Sequence, residues 1–315
     1  MNLFRLVILV VSFQSLLITG CINFANAESG LTTEISSEYP AAQLLDLSQR
    51  YLTLAEANDD FLRNGSGSSE RKLPDRSLNG IKRVAAQADV LLQQLNVIAI
   101  GQLSHEDTLT AALLRRDLEI LIEAPEHHWL FFDVTPYNSG YVMSAELLPA
   151  LSKIDLAAPD GVEHYLLLFT DSGRFLNELA SKLQEQRRRG IMLPKAAIPG
   201  VRKTYSRLRD NLADSAQFDP SRLAGMNPDQ IGRLQRDASA ALHEMLYPAL
   251  DRLLETLADD YLIQAPEAAG LYQYPGGEAY YKYLIQRETS LDLTPDEIHQ
   301  IGLQAMAGIQ QKVRA

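Results

Sequence analysis

Apolar residues recur at helical spacing along most of the chain. Between Ala41 and Arg63 they fall at Leu44, Leu45, Leu52, Ala55 and Leu62, with Tyr51 and Phe61 beside them. That spacing predicts an amphipathic helix. The Gly/Ser-rich run from Asn64 to Ser69 breaks it. Further helices are predicted over 77–98 and from Ser104 to Pro125, where Ser104 and Asp107 form a capping signal. The pattern continues over 141–152, 161–189 and 195–212. Asn227-Pro228-Asp229-Gln230 then joins an N-cap asparagine, a proline in the first turn and a glutamine at the third position. Behind it, Ile231 to Leu257 carries one wide apolar stripe, with a kink expected at Pro248. Thr294-Pro295-Asp296-Glu297 repeats the start signal, and Ile298, Ile301, Gly302, Ala305, Ile309 and Val313 follow on one face. This last pattern still runs at Ala315 without a stop signal, as expected of a chain cut short. Strand-like alternation is scarce, and Trp129 to Val134 is a poor best candidate. The expected fold class is all-α, a multi-helix array of long amphipathic helices.

The 315 residues carry a formal net charge of −11 and are 46% hydrophobic. This composition is that of a globular protein and excludes a disordered or low-complexity chain. Acidity disfavours nucleic acid as a partner. The single cysteine excludes a disulfide within the chain.

The N-terminus reads as an export signal. Arg5 precedes an apolar run from Leu6 to Ile18 that is shorter than the roughly 20 residues of a membrane span. Two cleavage sites compete. Ile18-Thr19-Gly20-Cys21 has the form of a lipobox, in which Cys21 is acylated after cleavage before it. Ala25-Asn26-Ala27 has the form of an ordinary secretory site, with cleavage before Glu28. Lipidation is favoured, because the one cysteine stands where a lipobox requires it. Ile22 rather than aspartate follows the cysteine, which points to the periplasmic face of the outer membrane. The expected organisation is a signal peptide over 1–20, a polar tether over 21–40 and a helical domain over 41–315.

Candidate chemistry is sparse. His243-Glu244 is followed by Tyr247 where a zinc helix requires a second histidine, so it reads as a surface pair. His127 and His128 are adjacent and project in different directions, a poor arrangement for one metal ion. Arg187, Arg188 and Arg189, with Lys182, Lys195, Arg202, Lys203, Arg207 and Arg209, form a basic patch. It could meet anionic lipid, but it reads better as a solvated helix end. The most unusual segment runs from Tyr272 to Thr289. The turn Tyr274-Pro275-Gly276-Gly277 leads into Tyr280, Tyr281, Tyr283, Arg287 and Thr289, residues suited equally to a polar-aromatic pocket and to helix packing.

This segment also carries a resemblance. Pro275 to Tyr281, Arg287-Glu288-Thr289 and Leu293 to Leu303, with His299 and Gly302, resemble a signature block of the bacterial domain-of-unknown-function 885 family. Arg71 to Asp75 and the Gly190 to Pro194 turn are similar more loosely. The resemblance implies an exported, often lipid-anchored helical protein related to zinc-dependent metallopeptidases. It also implies a fold like the N-terminal half of theirs. Family members are usually about twice as long, and a His-Glu-x-x-Pro-Gly-His motif lies in their later half. No residue of this chain matches that motif, so no metal or catalytic residue is assigned. Zinc is expected only in a longer form, and the chain alone is expected to be inactive. Tyr280, Tyr281, Arg287, Thr289 and His299 are the positions the resemblance marks as possible pocket residues. Two functions remain open. One is the substrate-cleft half of a zinc peptidase-like lipoprotein acting on peptides. The other is a non-enzymatic, lipid-anchored helical binding protein.

Overall fold

A computed structural model describes residues 35–58, 73–135, 147–213 and 218–314. Cys21, the signal peptide and most of the expected tether lie outside them. The fold is all-α, and no strand occurs among the described residues. The segment from Trp129 to Val134 is extended coil beyond a 3-10 turn.

Three helices open the fold: α1 (Ile35–Ala57), α2 (Leu78–Asn96) and α3 (His105–Glu123). The first starts six residues before the expected Ala41, so residues 35–40 of the expected tether are helical. Pro40 lies inside it and forgoes one backbone bond without ending the helix. The Ser77 and Ser104 hydroxyls cap α2 and α3 by accepting from the Gly80 and Asp107 amides at 3.0 and 3.1 Å. Leu44 and Leu47, Ala88, Leu91 and Leu95, and Leu114 and Leu118 close on one another as a three-helix core.

The second and largest core forms around α4 (Gly161–Arg188). Phe169, Phe175, Leu176, Leu179 and Leu183 of α4 meet Val201, Tyr205 and Leu208 of α5 (Ile198–Asn211). They also meet Leu250 and Leu253 of α7 (Tyr247–Thr256). Each such buried side chain contributes about 1.5–3 kcal/mol of apolar transfer free energy. The stripe expected from Ile231 to Leu257 divides into α6 (Pro228–Ala241), a π-helical turn at Leu242–Leu246, and α7. The wider turn ends two residues before Pro248, which has no N–H to continue the regular ladder. The expected capping box is present, with Asn227 Oδ1 accepting from the Gln230 amide and Gln230 Oε1 from the Asn227 amide, each at 2.9 Å.

After the short α8 (Asp259–Gln264), the chain turns into α9 (Gly277–Thr289) and ends in α10 (Pro295–Arg314). The turn requires its glycines. Gly276 has φ +79°, and a Cβ on Gly277 would stand 1.7 Å from the Leu271 carbonyl oxygen. The Thr294–Glu297 signal does cap α10: the Thr294 amide donates to Glu297 Oε2 at 2.7 Å and the Glu297 amide to Thr294 Oγ1 at 3.3 Å.

Candidate functional site

One face of α4 carries Arg174, Glu178, Lys182 and Gln186, four residues apart along the helix. These polar groups are turned inward, against two segments distant in sequence. Gln186 Nε2 donates to the carbonyls of Trp129 and Phe131 at 2.8 and 3.2 Å, which holds the aromatic segment in its extended course. One turn earlier, Lys182 Nζ donates to Asp133 Oδ2 at 2.5 Å. Another turn earlier, Glu178 Oε2 accepts from the Arg76 amide at 2.9 Å, and Glu178 Oε1 accepts from Arg174 at 2.6 Å. Arg174 also donates to the Leu73 carbonyl at 2.6 Å.

The Lys182–Asp133 pair is buried, with side chains 7% and 2% exposed. Lys182 also lies 5.2 Å from the centre of the Phe131 ring. His128 beside it is buried, and its pKa is depressed from 6.5 to about 4. Burial is the main cause, the Lys182 ammonium adds to it, and the Asp133 carboxylate opposes it. His128 is therefore neutral at pH 7. Burial pushes the Glu178 carboxyl up, against the pull of Arg174.

The first part of α9 closes this region. Tyr280 and Tyr283 are buried and stack 6.0 Å apart, with His127 at 5.0 and 4.3 Å from their ring centres. Tyr283 donates its hydroxyl to the Ile120 carbonyl at 3.0 Å. Tyr274 donates to the Met192 carbonyl. Leu130 and Ile191 complete this third, aromatic core. Burial raises the pKa of both Tyr280 and Tyr283, so both stay protonated at pH 7.

Two adjoining cavities share Arg76, His128 and Lys182 as a wall. The larger, about 430 Å³, opens toward Trp129, Arg174, Asn177 and Glu178. The smaller, about 130 Å³, reaches Phe131, Asp133, Tyr280, Tyr283 and Arg287. A further depression of about 250 Å³ continues past Tyr283 and Arg287 toward Arg116 and Glu123. The arrangement can bind a ligand through charged and neutral hydrogen-bonding groups against aromatic walls.

Of the positions marked in the sequence, Tyr280 and Arg287 line the smaller cavity. Tyr281, Thr289 and His299 do not: all three are exposed, and Thr289 Oγ1 donates within its own helix to the Ile285 carbonyl at 2.7 Å. Tyr281 follows Tyr280 directly and is therefore turned about 100° around α9, away from the cavity. Asp133 and Arg76 escaped the sequence reading, and Lys182 entered it only as part of a basic patch. The inward polar stripe of α4 was their one sequence signal. Six of its other members are held in ion pairs: Arg187, Arg188, Arg189, Lys195, Arg202 and Arg209, for example Arg187–Asp260 at 2.8 Å, Lys195–Glu267 at 2.5 Å and Arg209–Asp251 at 2.6 Å. His243 is exposed and packs edge-on against Tyr247 at 5.3 Å.

Residues 62–315 match the family described as bacterial protein of unknown function DUF885. The chain belongs to that family. A crystal structure of a protein from Colwellia psychrerythraea, described as a presumed lipoprotein, superposes with a TM-score of 0.61 at 16% identity. The superposition covers 87% of this chain and 49% of that one, so the chain spans about half the length of the solved structure it matches. A search of curated proteins returns no match.

Proposed function

We propose that this chain forms the substrate-binding part of an exported, lipid-anchored, zinc-peptidase-like protein that acts on peptides. The observation that carries the reading is the joined pair of cavities, in which buried charges, neutral His128 and Tyr280 converge under the family's signature helix. The lipobox at Cys21 supports a lipid anchor, with Ile22 favouring the periplasmic face of the outer membrane. The description of the Colwellia protein as a lipoprotein supports the anchor.

Zinc does not fit the residues at hand. Among the described residues no group of three His, Cys, Asp or Glu side chains could hold a metal ion. Zinc ligands therefore belong, in this reading, to sequence outside the 315 residues, and no step here runs through the metal. This chain's own residues bind and orient the substrate. The alternative, a non-enzymatic lipid-anchored binding protein, would use the same cavities.

The test starts from the native protein in the membrane fraction. Intact mass is expected to show an acylated Cys21 and a product about twice this length, with stoichiometric zinc and peptide cleavage. Peptide binding without zinc or cleavage would establish the binding protein instead. A mass without acyl groups that starts at Glu28 would remove the anchor.

A further inference from the structure

We infer that the smaller cavity is a binding site for a secondary amide, whose N–H is taken by Asp133 and whose C=O is taken by Tyr280. The assignment of that amide to a peptide backbone rests on the function proposed above.

Asp133 is 2% exposed. Lys182 satisfies its Oδ2 at 2.5 Å, while its Oδ1 is buried and makes no hydrogen bond among the described residues. Arg76 Nε, at 4.0 Å, is beyond hydrogen-bond reach of that oxygen. A buried acceptor without a donor is costly and rare, so it calls for a partner. The carboxylate charge is already met by the Lys182 ammonium. Its open lone pairs therefore suit a neutral N–H or O–H better than a second cation.

Tyr280 supplies the complementary group. Tyr274 and Tyr283 spend their hydroxyls on backbone carbonyls. The Tyr280 hydroxyl makes no hydrogen bond among the described residues, although the side chain is 3% exposed. Asp133 and Tyr280 line the same cavity of about 130 Å³. One water needs only about 10–15 Å³ measured in this way. One open acceptor and one open donor match the two polar atoms of a secondary amide. The Phe131 and Tyr283 rings offer flat apolar walls for its flanking carbons.

Secondary amides occur in peptide backbones and in acetamido sugars, and a titration of the full-length mature protein separates the two. The probes are N-acetyl-alanyl-alanine methylamide, its fully N-methylated analogue and N-acetylglucosamine. The blocked peptide is expected to bind about tenfold tighter than the N-methylated one, the value of one hydrogen bond to a charged group. Tyr280→Phe keeps the ring and is expected to weaken the blocked peptide about fivefold to tenfold, with an unchanged Tm. Equal affinity for the two peptides would overturn the amide site and leave the peptide-cleft reading standing. Binding of the sugar alone, weakened by Tyr280→Phe, would uphold the amide site and overturn the peptide source. No binding of any probe at millimolar concentration would overturn the site, with water as its occupant. The methylation contrast needs no variant, so the test holds even if Tyr280→Phe disturbs folding.

Discussion

Helices α9 and α10 follow one another within the family match, yet they behave oppositely. The 13-residue α9 buries Tyr280 and Tyr283 against the aromatic segment, and its Ile285 is buried as well. The 20-residue α10 has no buried residue, and Ile301, Ile309 and Val313 are 53%, 62% and 81% exposed. In sequence, α10 has the cleaner apolar stripe. Periodicity thus specifies which face of a helix seeks cover, and it says nothing of what provides it. In the longer protein proposed above, the α10 face is where further helices would dock.

The comparison can be broken most forcefully at the base of the α9 site. Lys182→Met would leave Asp133 charged and buried without its ammonium, a loss of about 3–5 kcal/mol in urea denaturation. A loss below about 1 kcal/mol would show that water reaches Asp133. The two helices themselves are contrasted by a matched pair of truncations. Ile285→Ala in α9 should cost about 2–4 kcal/mol. Ile309→Ala in α10 should stay within about 0.5 kcal/mol in the isolated chain. Equal costs would mean that α10 is covered in solution.

A further effect is a pH dependence. The His128 pKa is lower in the folded chain than when unfolded, so the unfolded state takes up the proton first. Stability is then complete above about pH 6.5 and falls as the pH drops toward about 4, by about 2–3 kcal/mol in all. Glu178, pushed up by burial, works in the opposite sense, adding stability as the pH falls into the carboxylate range. The measurement is therefore the difference between the wild type and His128→Gln, whose pH profile should be flatter. Parallel profiles would show that His128 is solvated.

Much of this fold was legible. Ser104, Asn227 and Thr294 cap the helices that their spacing announced. The start of α1 was not legible, because Pro40 reads locally as a boundary, whereas the helix runs through it. Nor was the π turn, because a wider turn leaves the apolar pattern around Pro248 unbroken. Tyr280 and Arg287 were marked by the signature block. Asp133 and Lys182 were not, since their pairing joins positions 49 residues apart and a charge on a helix ordinarily reads as solvated. Tyr281, Thr289 and His299 are exposed in this chain, and exposure depends on neighbours that one sequence does not name.

The two sides of α4 have one more consequence. Leu176, Leu179 and Leu183 anchor the main core, while Glu178 and Lys182 wall the cavities on the same rigid rod. Occupancy of the cavities and cohesion of the core are thereby linked by mass action. A ligand at a hundredfold excess over its Kd would add about 2.7 kcal/mol to the unfolding free energy. Melting temperature becomes a gauge of occupancy, and a library of unlabelled compounds can be sorted by heat alone.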